Sequence, residues 1–499
     1  MSTFSQVLVK QSERMGNQVA FVFERNNTTY YELNEKVSRL SSSLSTKGLG
    51  KGSHIALLIG NTPDYIYSLY ACWRIGAVVI PINPAYTSSE ISYILKNAKV
   101  DAILYTSQLK KMIESIILEI NDRIDLISTD CDEFNQYIME GDLHFKEAKM
   151  DQDDTAVILY TSGTTGKPKG AMLSHRNLYS NAVATGRALE ISDKDSIIGV
   201  MPMFHIFAMT VCLNMPIICG AKLILMRQFS PKEFISNINE HNVTFFGGVP
   251  TMYNFIHHYL QETKEDFSSV THCASGGASL PVSVLEDFEK SYQTIIQEGY
   301  GLSEGAGVVT LNPRRGQIKP GTVGLPIEDI LVNVVNDAGE EVSIGEIGEL
   351  ICKGPNVFKG YFEMPEATSL ALKDNWLFTG DLAVKDEDGY IRIVDRKKDL
   401  IIVGGFNVYP REIEEVLFQH ENIIEAGVIS EPDEKYGERI VAFVVSKSSM
   451  QQQEVLDYCK LHLSKYKLPS KVIFLKELPK TASGKILRRA LQNHANSDV

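Results

Sequence analysis

The run Tyr160-Thr161-Ser162-Gly163-Thr164-Thr165-Gly166-Lys167-Pro168-Lys169-Gly170 crowds hydroxyls, glycines and lysines into eleven residues. Glycines let a backbone approach an anion and turn its N–H groups toward it. Hydroxyls donate to phosphate oxygens, and lysines add point charges. The chemistry is that of a polyphosphate cradle. The apolar run Ala156-Val157-Ile158-Leu159 before it reads as a buried strand, so the loop is expected to leave the edge of a sheet. A Walker A loop requires Gly, four residues, then Gly-Lys-Ser/Thr. Ending at Gly166-Lys167, it would need glycine where Thr161 stands and a hydroxyl where Pro168 stands, which removes the ordinary P-loop. A flexible polar surface loop is the bland alternative.

Other strings carry chemistry. Gly301-Leu302-Ser303-Glu304-Gly305 matches the G-x-S-x-G elbow of α/β hydrolases. That elbow must open a helix, yet only residues 306–312, of strand or loop composition, precede Pro313. His420, His462 and His494, the downstream candidates for its base, all fall in the last hundred residues. Trp376-Leu377-Phe378-Thr379-Gly380-Asp381 ends in what is, alone, a turn. Gly404-Gly405-Phe406-Asn407 sets two glycines after a strand, again the mark of a tight turn. Residues 471–489 hold six basic residues and one acid, a local excess that wants an anion, although a charge run is usually a solvated face. His205, in Met203-Phe204-His205-Ile206-Phe207, is by itself more simply a satisfied core histidine.

The elements that must position these strings alternate. Thr29-x-x-Glu32 is a capping box, and Leu33, Val37, Leu40 and Leu44 follow along one helix face. Residues 54–59, 78–80 and 102–105 read as strands, and 63–75 and 88–97 as helices. This rhythm predicts an α/β fold around a mostly parallel sheet. An acidic stretch, 140–154, is expected to be loop. Five charged residues, Asp395-Arg396-Lys397-Lys398-Asp399, interrupt two apolar strands at 390–394 and 400–403. They mark a boundary between a domain of residues 1–395 and a small α+β domain of residues 396–499. In the latter, a helix starting at Pro410 and strands at 440–445 and 472–475 are expected.

A net charge of −13, from 49 basic and 62 acidic residues, argues against a general nucleic-acid or anionic-membrane binder. The seven cysteines include no C-x-x-C, so zinc sites and redox pairs find no support, and reduced thiols in a cytoplasmic protein are expected. The N-terminal residues are polar, without a signal-peptide core. Residues 197–221 lack formal charge over 25 residues, long enough to span a membrane, but Pro202 and Pro216 divide them into pieces suited to a buried core.

Residues 160–170 resemble the phosphate-binding motif of the adenylate-forming superfamily, which includes acyl-CoA synthetases, peptide-synthetase adenylation domains and firefly luciferase. Gly299-Tyr300-Gly301-Leu302-Ser303-Glu304 resembles its adenine and metal motif, with Ser303 where the family more often has Thr. Asp381 and Val394-Asp395-Arg396 resemble its ribose motifs, and 479–485 its catalytic-lysine motif. The matches run in family order from 160 to 485 and are most similar to fatty acid–CoA ligases. The resemblance implies a large N-terminal domain of stacked α/β subdomains with a small mobile C-terminal domain. It implies ATP, Mg²⁺ and coenzyme A. It assigns ATP to Thr161, Ser162, Gly163, Thr164, Thr165, Lys169, Gly299, Tyr300, Gly301, Ser303, Asp381 and Arg396, and the metal to Thr161 and Glu304. Lys485 would act on the carboxylate and α-phosphate, and Lys398 would be the hinge. His205, Phe207, Gly276, Gly277 and Ala278 would border the acyl group, and Gly404, Gly405 and Asn407 the CoA arm. The expected substrate is a medium- or long-chain fatty acid. An aromatic or other small acid, or a carrier protein as acceptor, are the alternatives. A non-catalytic acyl-binding protein is disfavoured by the intact Lys485, Glu304 and Asp381. A homodimer is admitted as an assembly.

Overall fold

Helix starts are set by short polar boxes. The Thr29 hydroxyl accepts from the Glu32 N–H, and the Glu32 carboxylate accepts from the Thr29 N–H at 2.8 Å, at the head of the helix Tyr30–Thr46. Thr87 with Glu90 opens Ser88–Asn97 in the same way, and Ser174 with Asn177 opens His175–Ala188. Each such cap contributes about 1 kcal/mol. Leu33, Val37, Leu40 and Leu44 are fully buried, as their spacing predicts.

The computed structural model describes residues 3–120, 123–161, 168–433, 435–480 and 486–496. Its strands form four sheets. One has seven strands, ordered Gly360–Tyr361, Lys169–Ser174, Thr155–Thr161, Val78–Pro81, His54–Leu58, Ala102–Tyr105, Asp125–Ser128. From Thr155–Thr161 onward the neighbours are parallel. The strand before the phosphate loop is therefore internal and not at an edge. It forms a hairpin with Lys169–Ser174, in which Thr161 faces Lys169.

A nine-stranded sheet carries Ile295–Tyr300, His272–Ser275, Phe245–Gly248 and Ser196–Gly199 as parallel neighbours. One hydrophobic core joins it to the first sheet. There the helix Pro63–Arg74 is buried from Tyr65 to Arg74. Its Trp73 stacks on Phe4, with ring centroids 4.7 Å apart, and donates its indole N–H to the Ala156 carbonyl at 3.1 Å. Residues 197–221 belong to this core. The strand Ser196–Gly199 leads to a helical run from Ile206 to Cys219, and no helix among the described residues is long and apolar enough to cross a membrane.

A third, antiparallel sheet includes Gly348–Lys353, Trp376–Lys385 and Ile391–Arg396. The fourth is drawn wholly from later residues: Ile401–Val403, Phe406–Val408, Ile423–Asp433, Gly437–Ser446 and Lys471–Phe474. The helix Pro410–Phe418 packs Ile413 and Leu417 against it.

Candidate active site

The third sheet brings Asp381 and Arg396 face to face, as cross-strand partners on Trp376–Lys385 and Ile391–Arg396. Arg396 Nε lies 3.1 Å from Asp381 Oδ1. Tyr300, the last residue of Ile295–Tyr300, donates its hydroxyl to Asp381 Oδ2 at 2.5 Å. Asp381 is buried, at 5 % exposure. Burial and then the Asp381 charge push the Tyr300 phenol far above its ordinary range, so it remains a donor. An irregularity in the strand at Gly380 (φ 72°) sets the carboxylate, and its N–H donates to Glu349 at 3.0 Å. The five charged residues are thus not one solvated turn: Asp395 is buried and Arg396 is paired, and only 397–399 form the turn.

Beyond Tyr300 the backbone folds tightly. A Cβ on Gly301 would lie 1.5 Å from the Gly307 carbonyl oxygen, so no side chain fits there. Ser303–Gly305 is a single 3₁₀ turn followed by no helix, which removes the hydrolase elbow. Glu304 sits in that turn. Its carbonyl accepts from Phe358 N–H at 2.9 Å, and its Oε1 accepts from the Tyr361 hydroxyl at 2.8 Å. Lys169 Nζ lies 5.1 Å from the centre of the Tyr361 ring. Thr161, Lys169, Tyr361 and Glu304 therefore line up from the end of the hairpin to the 3₁₀ turn. Among the described residues, no three His, Cys, Asp or Glu side chains cluster as a metal cage. One carboxylate beside a hydroxyl suits Mg²⁺, which keeps its waters and takes phosphate oxygens.

A family profile described as AMP-binding enzyme matches residues 8–362, and one described as AMP-binding enzyme C-terminal domain matches residues 412–485. The chain belongs to the AMP-binding enzyme family. It is 37% identical to a long-chain-fatty-acid–CoA ligase of Bacillus subtilis, over 98% of this chain and 94% of that one. It is 32% identical to a 2-succinylbenzoate–CoA ligase of the same bacterium, over 99% of this chain and 98% of that one. Among solved structures, ATP-bound MatB from Rhodopseudomonas palustris superimposes with a TM-score of 0.92 at 30% identity, covering 98% of each chain.

In this AMP-binding enzyme, Phe207 meets the run 276–278 at the ends of two parallel strands. Phe207 lies against Gly276, where an added Cβ would stand 3.2 Å from the ring, and 3.8 Å from where a Cβ on Gly247 would be. Gly276 donates its N–H to the Gly248 carbonyl at 3.2 Å, and Gly277 has φ 83°. Ala278 is exposed. His205 precedes the short helix Ile206–Ala208. Gly404 and Gly405 (φ 57° and 85°) are a two-residue hairpin turn, opposite-strand neighbours being Ile402 and Asn407. Lys398 is exposed in the turn after Arg396. Ser162, Gly163, Thr164, Thr165 and Lys485 lie outside the described residues. The basic tail is partly neutralised by its own domain: Lys480 pairs with Glu425, and Arg488 with Glu414 at 3.0 Å.

Three supporting residues carried no signal in the sequence. Tyr361 reaches Glu304 from a two-residue strand paired to Lys169–Ser174. Asn61 is buried, donates to the Met201 carbonyl at 2.9 Å and accepts from Met203 N–H at 2.9 Å, fixing the segment before His205. Asn356 donates to the Gly305 carbonyl at 3.0 Å and holds the 3₁₀ turn. Each is a lone polar residue whose partner is distant in the chain.

Proposed function

We propose that the protein activates a medium- or long-chain fatty acid with ATP and passes the acyl group to CoA. The observation that carries this is the bonded set Tyr300, Asp381 and Arg396 beside Glu304. It offers a flat ring for adenine, a buried acceptor for ribose hydroxyls and a hard oxygen ligand within one site. CoA ligases among the relatives support the thiol acceptor.

A carboxylate does not react with a thiol, because oxide would have to leave. Its oxygen instead attacks the α-phosphorus of ATP, the bond to pyrophosphate breaks, and acyl-AMP forms. The thiol then attacks the acyl carbonyl, loses its proton, and AMP departs. Two anions meet in the first step, and the chain's role is to offset their repulsion. Thr161 to Thr165 and Lys169 hold the β- and γ-phosphates, with Ser303 at the α-phosphate. Glu304 and Thr161 would hold Mg²⁺, which when bound neutralises phosphate charge. Lys485 brings a positive charge to the carboxylate and α-phosphate, and His205 stands near the reacting carboxylate. Gly299 and Gly301 let the backbone on either side of Tyr300 pack against Leu311 and the Gly307 carbonyl, which sets the ring for the base. The domain of residues 396–499 turns about Lys398 for the second step, bringing Gly404, Gly405 and Asn407 to the pantetheine arm. Phe207, Gly276, Gly277 and Ala278 offer the acid apolar or small walls, and neither 203–207 nor 275–278 carries an Arg or Lys for a second carboxylate.

An aromatic acid is the second reading, favoured by the Phe207 ring against Gly276. Pyrophosphate release over acids from hexanoate to palmitate, with benzoate and 2-succinylbenzoate, each with and without CoA, tests both. Release should rise along the aliphatic series and CoA should convert the product to thioester. Preference for an aromatic acid, or indifference to CoA, would replace the first reading.

A further inference from the structure

Three contacts join the large and small domains beside Lys398. Asp395, buried near the end of Ile391–Arg396, accepts the Arg411 backbone N–H on Oδ2 at 2.9 Å, and its Oδ1 lies 4.0 Å from Arg488 Nη1. The Arg411 guanidinium donates to the Ser279 hydroxyl. Ser279 follows Gly276-Gly277-Ala278 directly, and Leu280 after it donates its N–H to the buried Glu298 at 3.0 Å. The first turn of Pro410–Phe418 is thus tied both to the strand entering the hinge and to the loop proposed to wall the acyl site.

The other contacts of Arg488 lie on its own side of Lys398: Glu414 at 3.0 Å and Asp399 at 4.0 Å. A turn about Lys398 leaves these in place. It must separate Arg411 from Ser279, and Arg411 and Arg488 from Asp395. The pairs that cross the hinge are therefore the ones that distinguish this orientation from a rotated one.

We propose that Arg411 is a positioning residue: its guanidinium on Ser279 and its backbone N–H on Asp395 hold the small domain in an orientation that leaves Gly404, Gly405 and Asn407 exposed, away from the acyl group and so suited to acyl-AMP formation, and couple that orientation to the acyl-wall loop. An acid that seats the Ser279 loop tightens the grip, and by reciprocity a loosened grip weakens binding of the acid. This rests on the two-step reading above.

The test separates the half-reactions. Arg411→Met keeps the aliphatic stem and removes the guanidinium. ATP–pyrophosphate exchange should fall by about tenfold, the size of one charge-assisted hydrogen bond, with a raised KM for the acid. Thioester formation from supplied acyl-AMP and CoA should be unchanged or faster. Ser279→Ala should act in the same direction, and adding it to Arg411→Met should cost nothing further. Equal loss in both half-reactions, or additive effects, would overturn the proposal. Trypsin cleavage at 396–398 gives a measure independent of activity. Both variants should be cut faster than the parent protein, and an unchanged rate would sink the latch whatever the enzymology. A parent protein that makes neither acyl-AMP nor thioester from any acid would instead refute the two-step reading, while the cleavage result still judged the latch.

Discussion

At the residue scale, Asp381 has both oxygens engaged, one by Tyr300 and one by Arg396, yet each keeps a second lone pair for a ribose hydroxyl. Asp381→Asn puts an NH₂ toward one of those donors and removes the charge facing Arg396. Adenylation should drop roughly 10- to 100-fold, mostly through a raised KM for ATP. An unchanged KM for ATP would remove Asp381 from the nucleotide site. Tyr361 supports Glu304 in the same manner, through its hydroxyl on Oε1. Partners that orient a metal ligand are commonly worth ten- to hundredfold in affinity, so with Glu304 as the proposed Mg²⁺ ligand Tyr361→Phe should weaken Mg²⁺ by about tenfold. Two readouts check it: the Mg²⁺ concentration giving half-maximal pyrophosphate release, and Mn²⁺ bound to the ATP complex by electron paramagnetic resonance. Loss of activity that no amount of Mg²⁺ repairs would point to packing instead.

At the element scale, the strand Ile295–Tyr300 carries the site on its end and a liability in its middle. Glu298 is 1 % exposed, and burial pushes its carboxyl up from the usual 4.5 to about 7. The folded protein therefore holds a proton there that the unfolded chain releases near pH 4.5. Stability from this group is complete below that pH and is lost as pH rises through about 7. The full loss is about 3 kcal/mol. Glu298→Gln keeps an acceptor for Leu280 N–H and removes the ionisation. The variant should equal the parent protein near pH 4.5 and exceed it by up to about 3 kcal/mol at pH 8 in urea unfolding. A parallel pH dependence of the two would show that Glu298 does not titrate in this range.

The legibility of elements follows the same physics. Capping boxes and one-faced helices are written in neighbouring residues, so Ser88–Asn97 and Ala102–Tyr105 have the bounds that their sequence predicts. Lys169–Ser174 is polar at its two ends and has a glycine and a methionine within, and its pairing with Thr155–Thr161 leaves no local mark. Tyr300, Asp381 and Arg396 stand in recognisable strings, but Tyr361, Asn61 and Arg411 gain their roles from partners 57 to 142 positions away.

At the scale of the whole molecule, an acidic chain must bring together two further anions, ATP and a carboxylate. In the two-step mechanism proposed above, local cations move with the step they serve. Lys485→Ala should abolish acyl-AMP formation and spare thioester formation from supplied acyl-AMP, and equal loss of both would place the lysine in a general structural role. The complementary change is at the turn after Arg396. There Lys397 N–H bonds to the Gly380 carbonyl and Asp399 N–H to the Arg396 carbonyl, both at the base of the third sheet. A proline at 398 fixes its own φ near −65° and restricts Lys397, so it stiffens the segment proposed to bend in a domain rotation. The large domain, with Tyr300, Asp381 and Glu304, is left as it is. Lys398→Pro should accordingly keep ATP–pyrophosphate exchange within about threefold while lowering thioester formation by about a hundredfold or more, about 3 kcal/mol of added barrier. Single-turnover mixing of preformed acyl-AMP enzyme with CoA measures the second quantity directly. Thioester formation at the parent rate would place the hinge elsewhere in the linker.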